Sequence, residues 1–192
     1  MIRGLYNWTM QLGQSRYALW ALALIAFLES SAFPIPPDAL IIPMIIALPQ
    51  RAFLIAAVAT VFSVLGGVFG YYIGAVLFDT IGQPLLDFYG KAEQFEHFSD
   101  TYNEYGAWAV LVAGITPFPY KVITILSGST NLDFGVFMLS SVLARAFRFF
   151  VIAALLWKFG VPIRNFIEKR LGLVFTVALG LLLGGFVLVK VL

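Results

Sequence analysis

Residues 52–78 run for 27 positions without a charged side chain. A helix of that length crosses a hydrocarbon layer of about 30 Å with room for tilt. Composition agrees: 61% of the chain is hydrophobic and 11% is charged, against roughly 25% charged in soluble domains. The sequence therefore predicts an all-α polytopic membrane protein, with residues 1–192 forming a single membrane domain.

The flanking segments are apolar but broken. Residues 17–28 and 39–48 are each shorter than the ~20 residues a spanning helix needs. Between them lies Glu29-Ser-Ser-Ala-Phe-Pro-Ile-Pro-Pro-Asp38, where Pro34, Pro36 and Pro37 exclude a continuous helix. Two half-length runs around a proline turn predict a re-entrant hairpin. The pattern returns at residues 107–130, around Pro117 and Pro119. A span at residues 134–157 follows, and a uniformly apolar C-terminal span occupies residues 171–189. Arg3 and Arg16 before residues 17–28 resemble the start of a secretory signal. Glu29 and the three prolines argue against cleavage there.

The chain thus divides into an interfacial segment (1–16), a first repeat (17–78), an amphipathic linker (79–106), a second repeat (107–157) and the last span (171–189). In the first segment Leu5, Trp8 and Leu12 fall at helical spacing. In the linker, Leu85, Phe88, Ala92, Phe95, Phe98, Tyr102 and Tyr105 recur every three or four residues, which predicts a helix on the bilayer or capping the bundle. Residues 65–77 align without gaps on residues 143–155, with Leu65/Leu143, Phe69/Phe147, Ala75/Ala153 and Leu77/Leu155 identical. Gly66, Gly70 and Gly74, four apart, form a ridge for close helix packing.

Charge orients the halves. Arg3, Arg16 and Arg51 flank the first hairpin, and Lys158, Arg164, Lys169 and Arg170 follow the second long span. The linker holds Asp79, Asp87, Glu93, Glu96, Asp100 and Glu104 against Lys91. Positive segments stay in the cytoplasm, so each long span crosses once and each hairpin returns to its own side. The two halves run oppositely: an inverted repeat with two opposed re-entrant hairpins, each followed by a full span.

Glu29, Asp38, Lys121, Arg145 and Arg148 lie at membrane depth. Facing lipid, five such groups would cost roughly 12–17 kcal/mol, so they face one another, water or a substrate. Glu29 and Asp38 suit proton coupling, and Asp38 also suits the N-cap of the helix that follows. Arg145 and Arg148, at i and i+3, share a helix face. They either grip a phosphate through paired guanidiniums or neutralise Glu29 and Asp38. Lys121 is placed to snorkel to the interface. Ser30 and Ser31 are placed to satisfy backbone groups freed at the turn.

Several chemistries are excluded. The chain has no Cys and one His, so no thiolate or His-rich metal site is expected. His97 sits in the acidic linker, as a solvated surface residue. Ser127 and Ser129 have no evident base, and no phosphate-binding or hydrolase motif is present. Neither a cofactor nor an enzymatic activity is expected. A net charge of +2 without basic–aromatic patches gives no reason to expect nucleic acid.

The segment from Glu29 to Asp38, continued by Ala-Leu-Ile-Ile-Pro43, resembles the DedA superfamily, in particular its YqaA-like branch. Gly114-Ile-Thr-Pro-Phe-Pro-Tyr-Lys-Val-Ile-Thr-Ile-Leu-Ser-Gly128 is similar to that family's second hairpin, departing from it at Lys121, and Arg145 and Arg148 match its arginine-bearing helix. The resemblance covers residues 17–157. It implies the inverted-repeat fold, lipid translocation in a bacterial inner membrane, and acidic residues tied to proton dependence. The expected function is transport of a lipid phosphate or phospholipid, with the bilayer and its lipids as partners; a homo-oligomer is compatible with this. Alternatives are a small-solute or cation transporter using the same carboxylates, and a non-transporting scaffold.

Overall fold

The computed structural model describes residues 17–31, 36–116 and 118–169. The interfacial segment 1–16, Pro34, Pro117 and the expected span at 171–189 lie outside the described residues. Everything described is helix, turn or connecting loop. In chain order the helices are α1 (Ala18–Ser31), α2 (Asp38–Ala47), α3 (Ala52–Leu77), α4 (Gln83–Phe88), α5 (Ala92–Ile115), α6 (Tyr120–Ser129) and α7 (Phe134–Lys169). A 3₁₀ turn, Pro49–Arg51, leads into α3, and a π-helical turn, Phe78–Gly82, follows it.

At 1.5 Å per residue, α1 and α2 are about 21 and 15 Å long, too short to cross alone. Two helical stretches, Pro49–Phe88 and Phe134–Gly160, are long and apolar enough to cross a membrane. Their outer faces carry exposed apolar strips. On α3 these are Leu65, Phe69, Tyr72 and Val76; on α7 they are Leu139, Leu143, Phe147, Val151 and Leu155, all exposed. Strips this long call for an apolar surrounding. The identical repeat pairs Leu65/Leu143, Phe69/Phe147 and Leu77/Leu155 all lie on these exposed faces. The likeness of the halves is thus carried by outward-facing side chains.

The long helices α3 and α7 pack together. Helix α1 lies on α3, and α5 on α7; α2 instead packs on α7, and α6 on α3. Each half therefore keeps its first helix on its own long helix and lends its second to the other half. Glycines make the exchange geometrically feasible. A Cβ at Gly66 would meet the Phe27 carbonyl of α1, and one at Gly74 the Ile125 carbonyl of α6. Gly70 lies between them, against Thr124 and the Ser30 carbonyl. The ridge expected from the spacing of four thus seats both α1 and α6. One apolar core gathers Leu22, Ile41, Ile45, Ile55, Ala59 and Phe149; a second gathers Val110, Tyr120, Leu132 and Phe137.

Helix boundaries around the linker differ from those read in the sequence. The chain turns at Tyr89–Lys91, where Gly90 has φ +64°, a left-handed conformation that glycine adopts at little cost. From Ala92 the helix runs unbroken to Ile115, joining the acidic stretch to the expected half-helix at 107–115. No proline interrupts this segment, and its inner glycine, Gly106, is buried against Leu132. The apolar face of the linker divides accordingly. Phe95 stacks on Phe78 with ring centroids 4.5 Å apart, and Tyr102 bonds to Ser127 at 2.9 Å, while Leu85, Phe88 and Tyr105 stay exposed. Helix α7 likewise continues past residue 157, through Pro162, to Lys169.

Candidate functional site: two ion pairs between the hairpins

Glu29 sits in the last turn of α1, and Asp38 is the first residue of α2. Arg145 and Arg148 project from α7, the helix of the other half. The structure brings all four together as two ion pairs. Arg145 Nη2 donates to Glu29 Oε2 at 2.8 Å, and Arg148 Nη2 donates to Asp38 Oδ2 at 2.5 Å. Two formal positive charges meet two formal negative ones. This is how charge is accommodated at membrane depth.

The two pairs have different surroundings. Arg145 is 2% exposed. Its Nε donates to Ser63 Oγ at 2.6 Å. Ser63 shares a 2.7 Å hydrogen bond with Ser30, and Ser30 donates back to Glu29 at 3.1 Å. The rings of Tyr120 and Phe149 cover its guanidinium, with centroids 4.8 and 4.6 Å from Cζ, within cation–π range. Tyr120 is itself held by its hydroxyl, which donates to Ser141 on α7.

Arg148 is 17% exposed and Asp38 23%. Besides Asp38, Arg148 donates from Nη1 to the Thr116 carbonyl at 2.6 Å. It therefore touches both the start of α2 and the end of α5. Arg148 Nε and Asp38 Oδ1 are buried atoms with no hydrogen-bond partner among the described residues. A donor and an acceptor left in this way within one ion pair are costly unless a further group meets them.

Asp38 was expected to cap α2, and it does not. Pro37 occupies the cap position with helical φ −65° and ψ −21°, and no side chain caps the end. Asp38 has entered the first turn, where its charge still favours the helix dipole, and its carboxylate turns to Arg148 instead. Of the turn prolines, Pro36 and Pro37 accept the first amide bonds of α2, and Pro119 immediately precedes α6. Ser31 does satisfy a backbone group, the Phe27 carbonyl at 2.9 Å, whereas Ser30 belongs to the ion-pair network. Thr124 on α6 donates to the Ser30 carbonyl at 3.0 Å, tying α6 directly to α1. Lys121 is half-buried at the start of α6.

Ser63, Tyr120, Thr124, Ser141 and Thr116 were not singled out from the sequence. Ser63 carried a faint signal, as a hydroxyl inside the uncharged span three residues before the glycine ridge. The others are unremarkable locally and gain their place only through packing. Among the described residues no group of three or more His, Cys, Asp or Glu could hold a metal ion.

Comparison with known proteins gives the family. Residues 33–158 match the family model of the VTT domain. An uncharacterized protein of Haemophilus influenzae is 33% identical over 168 residues, covering 85% of this chain and 87% of that one. A homolog from Histophilus somni is 38% identical over the same shares. An uncharacterized protein of Methanocaldococcus jannaschii is 26% identical over 133 residues, 69% of this chain and 79% of that one. No solved structure matches. The matched region contains Asp38, Arg145, Arg148 and the second hairpin, and the chain belongs to the DedA superfamily of membrane proteins that carry the VTT domain.

Proposed function

We propose that this protein carries a lipid phosphate or phospholipid across the bacterial inner membrane, coupled to protons. In this reading α1–α2 and α5–α6 form two opposed re-entrant hairpins of an inverted repeat, and the site lies where their turns meet. The observation that carries the reading is the pairing of Glu29 with Arg145 and of Asp38 with Arg148. A phosphate oxygen is chemically equivalent to the carboxylate oxygen an arginine already holds. An entering phosphate competes with the carboxylates for the guanidiniums, and a displaced carboxylate avoids an isolated buried charge by taking a proton. Substrate binding and protonation are thereby linked, and the site stays near neutrality.

The test uses purified protein in vesicles, with headgroup-labelled phospholipid and an imposed pH gradient. Accelerated lipid movement that the gradient modulates and Glu29→Gln abolishes is the expected result. Ion flux without lipid movement would replace this reading with a small-solute or cation transporter. Neither flux would leave a scaffold.

A further inference from the structure

The two arginines are not equivalent in their settings. Arg145 has its Nε bonded to Ser63, its Nη2 bonded to Glu29 and two aromatic rings over its guanidinium. Arg148 has no aromatic cover of this kind among the described residues. Among the described residues its Nε has no partner, and an oxygen of its partner carboxylate is likewise unbonded. Moving Arg145 would break a chain of bonds through Ser63, Ser30 and Glu29 and withdraw a cation from two buried rings. Moving Arg148 would break two bonds and give its idle Nε–H a use. A planar guanidinium offering Nε and Nη together is the fork that meets two oxygens of one phosphate.

We infer that Arg145 is a fixed counter-charge, that Tyr120 is the positioning residue that keeps it so, and that Arg148 is the arginine that leaves its carboxylate to meet the substrate. This deepens the lipid-phosphate reading and rests on it for the identity of the ligand. Tyr120 is suited to the task by its place. It is fully buried, it opens α6 directly after Pro119, and its ring edge lies against the site where a Cβ on Gly67 would be, 3.3 Å away. Its hydroxyl is anchored on the same helix that bears Arg145, one turn earlier. The ring therefore cannot swing away about χ1 without losing that bond. The second hairpin thus holds the arginine that serves the first hairpin's Glu29.

Nε–H is the atom that distinguishes the two arginines, so it supplies the readout. The full chain, labelled with ¹⁵N-arginine, is placed in nanodiscs, and the two Nε–H signals are assigned with Arg145→Lys and Arg148→Lys. Hydrogen exchange and the response to dioctanoyl phosphatidic acid are then measured, with dioctanoylglycerol as the phosphate-free control. The expected result has three parts. Only the Arg148 signal shifts with the phosphatidic acid. Tyr120→Leu speeds exchange at Arg145 about tenfold or more, as loss of a stabilising contact of this size would do. Tyr120→Phe, which keeps the ring, retains most of the protection. A phosphate-dependent shift at Arg145 equal to that at Arg148 would overturn the assignment, as would unchanged Arg145 exchange in Tyr120→Leu. If wild-type protein moves no phosphorylated lipid in vesicles and neither signal responds, the transport reading fails. The exchange comparison then still decides whether Tyr120 fixes Arg145.

Discussion

Glu29 and Arg145, 116 positions apart in the chain, meet in a 2.8 Å ion pair that joins the end of α1 to the middle of α7. Because the pair is buried, removing one member leaves an uncompensated charge. Arg145→Leu is expected to destabilise the protein by about 3–5 kcal/mol. The double variant Glu29→Leu/Arg145→Leu removes both charges and leaves Ser30 and Ser63 bonded to each other, so it should recover most of that loss. Thermal unfolding in detergent measures both. A double variant as unstable as the single one would show that the pair is not the source of the effect.

Asp38 bonds Arg148 instead of capping α2, which sets the expected effect of its replacement. Were it a cap, Asn would serve nearly as well. Since it is the charged partner of an arginine, Asp38→Asn should cut transport about tenfold or more, the scale of a lost charged hydrogen bond. Glu29→Gln should abolish transport while the protein still inserts. Lipid movement in vesicles decides, and a near wild-type rate for Asp38→Asn would return the residue to a capping role.

Gly74 and Gly160 form a matched pair for testing the glycine ridge. A Cβ at Gly74 collides with the Ile125 carbonyl, whereas at Gly160 it meets nothing within 4 Å. Gly74→Ala should cost about 1–3 kcal/mol through overpacking between α3 and α6. Gly160→Ala should be neutral, or stabilising by up to about 1 kcal/mol through helix propensity. Equal melting temperatures for the two variants would show that α6 does not seat on Gly74.

The topology can be checked cleanly because the chain has no cysteine. Arg51 and Asp100 are both exposed, at opposite ends of the charge asymmetry. Cysteines placed there should react with impermeant reagents from opposite sides of the membrane, position 51 from the cytoplasm. Labelling of both from one side would remove the single crossing of α3, and with it the opposed hairpins.

The sequence by itself determined the features that depend on local covalent chemistry and on polarity. Clustered prolines break the apolar runs because each lacks an N–H donor and crowds the preceding turn. The uncharged stretch makes α3 long. Glycines four apart make a ridge, and charges at membrane depth must find partners. The sequence also determined the set Glu29, Asp38, Arg145 and Arg148. Which carboxylate meets which arginine was decided by the tertiary structure, since only the crossing of α2 onto α7 and of α6 onto α3 sets those distances. The same packing turned the Asp38 carboxylate to Arg148, which offers it a charge-assisted hydrogen bond. It also turned Tyr120, Ser63 and Ser141, ordinary residues along the chain, into the housing of Arg145. The reach of α5 from Ala92 to Ile115 belongs with these. Helical hydrogen bonds are indifferent to the change from acidic to apolar side chains near residue 106, so only a steric breaker could have ended the helix there, and none is present.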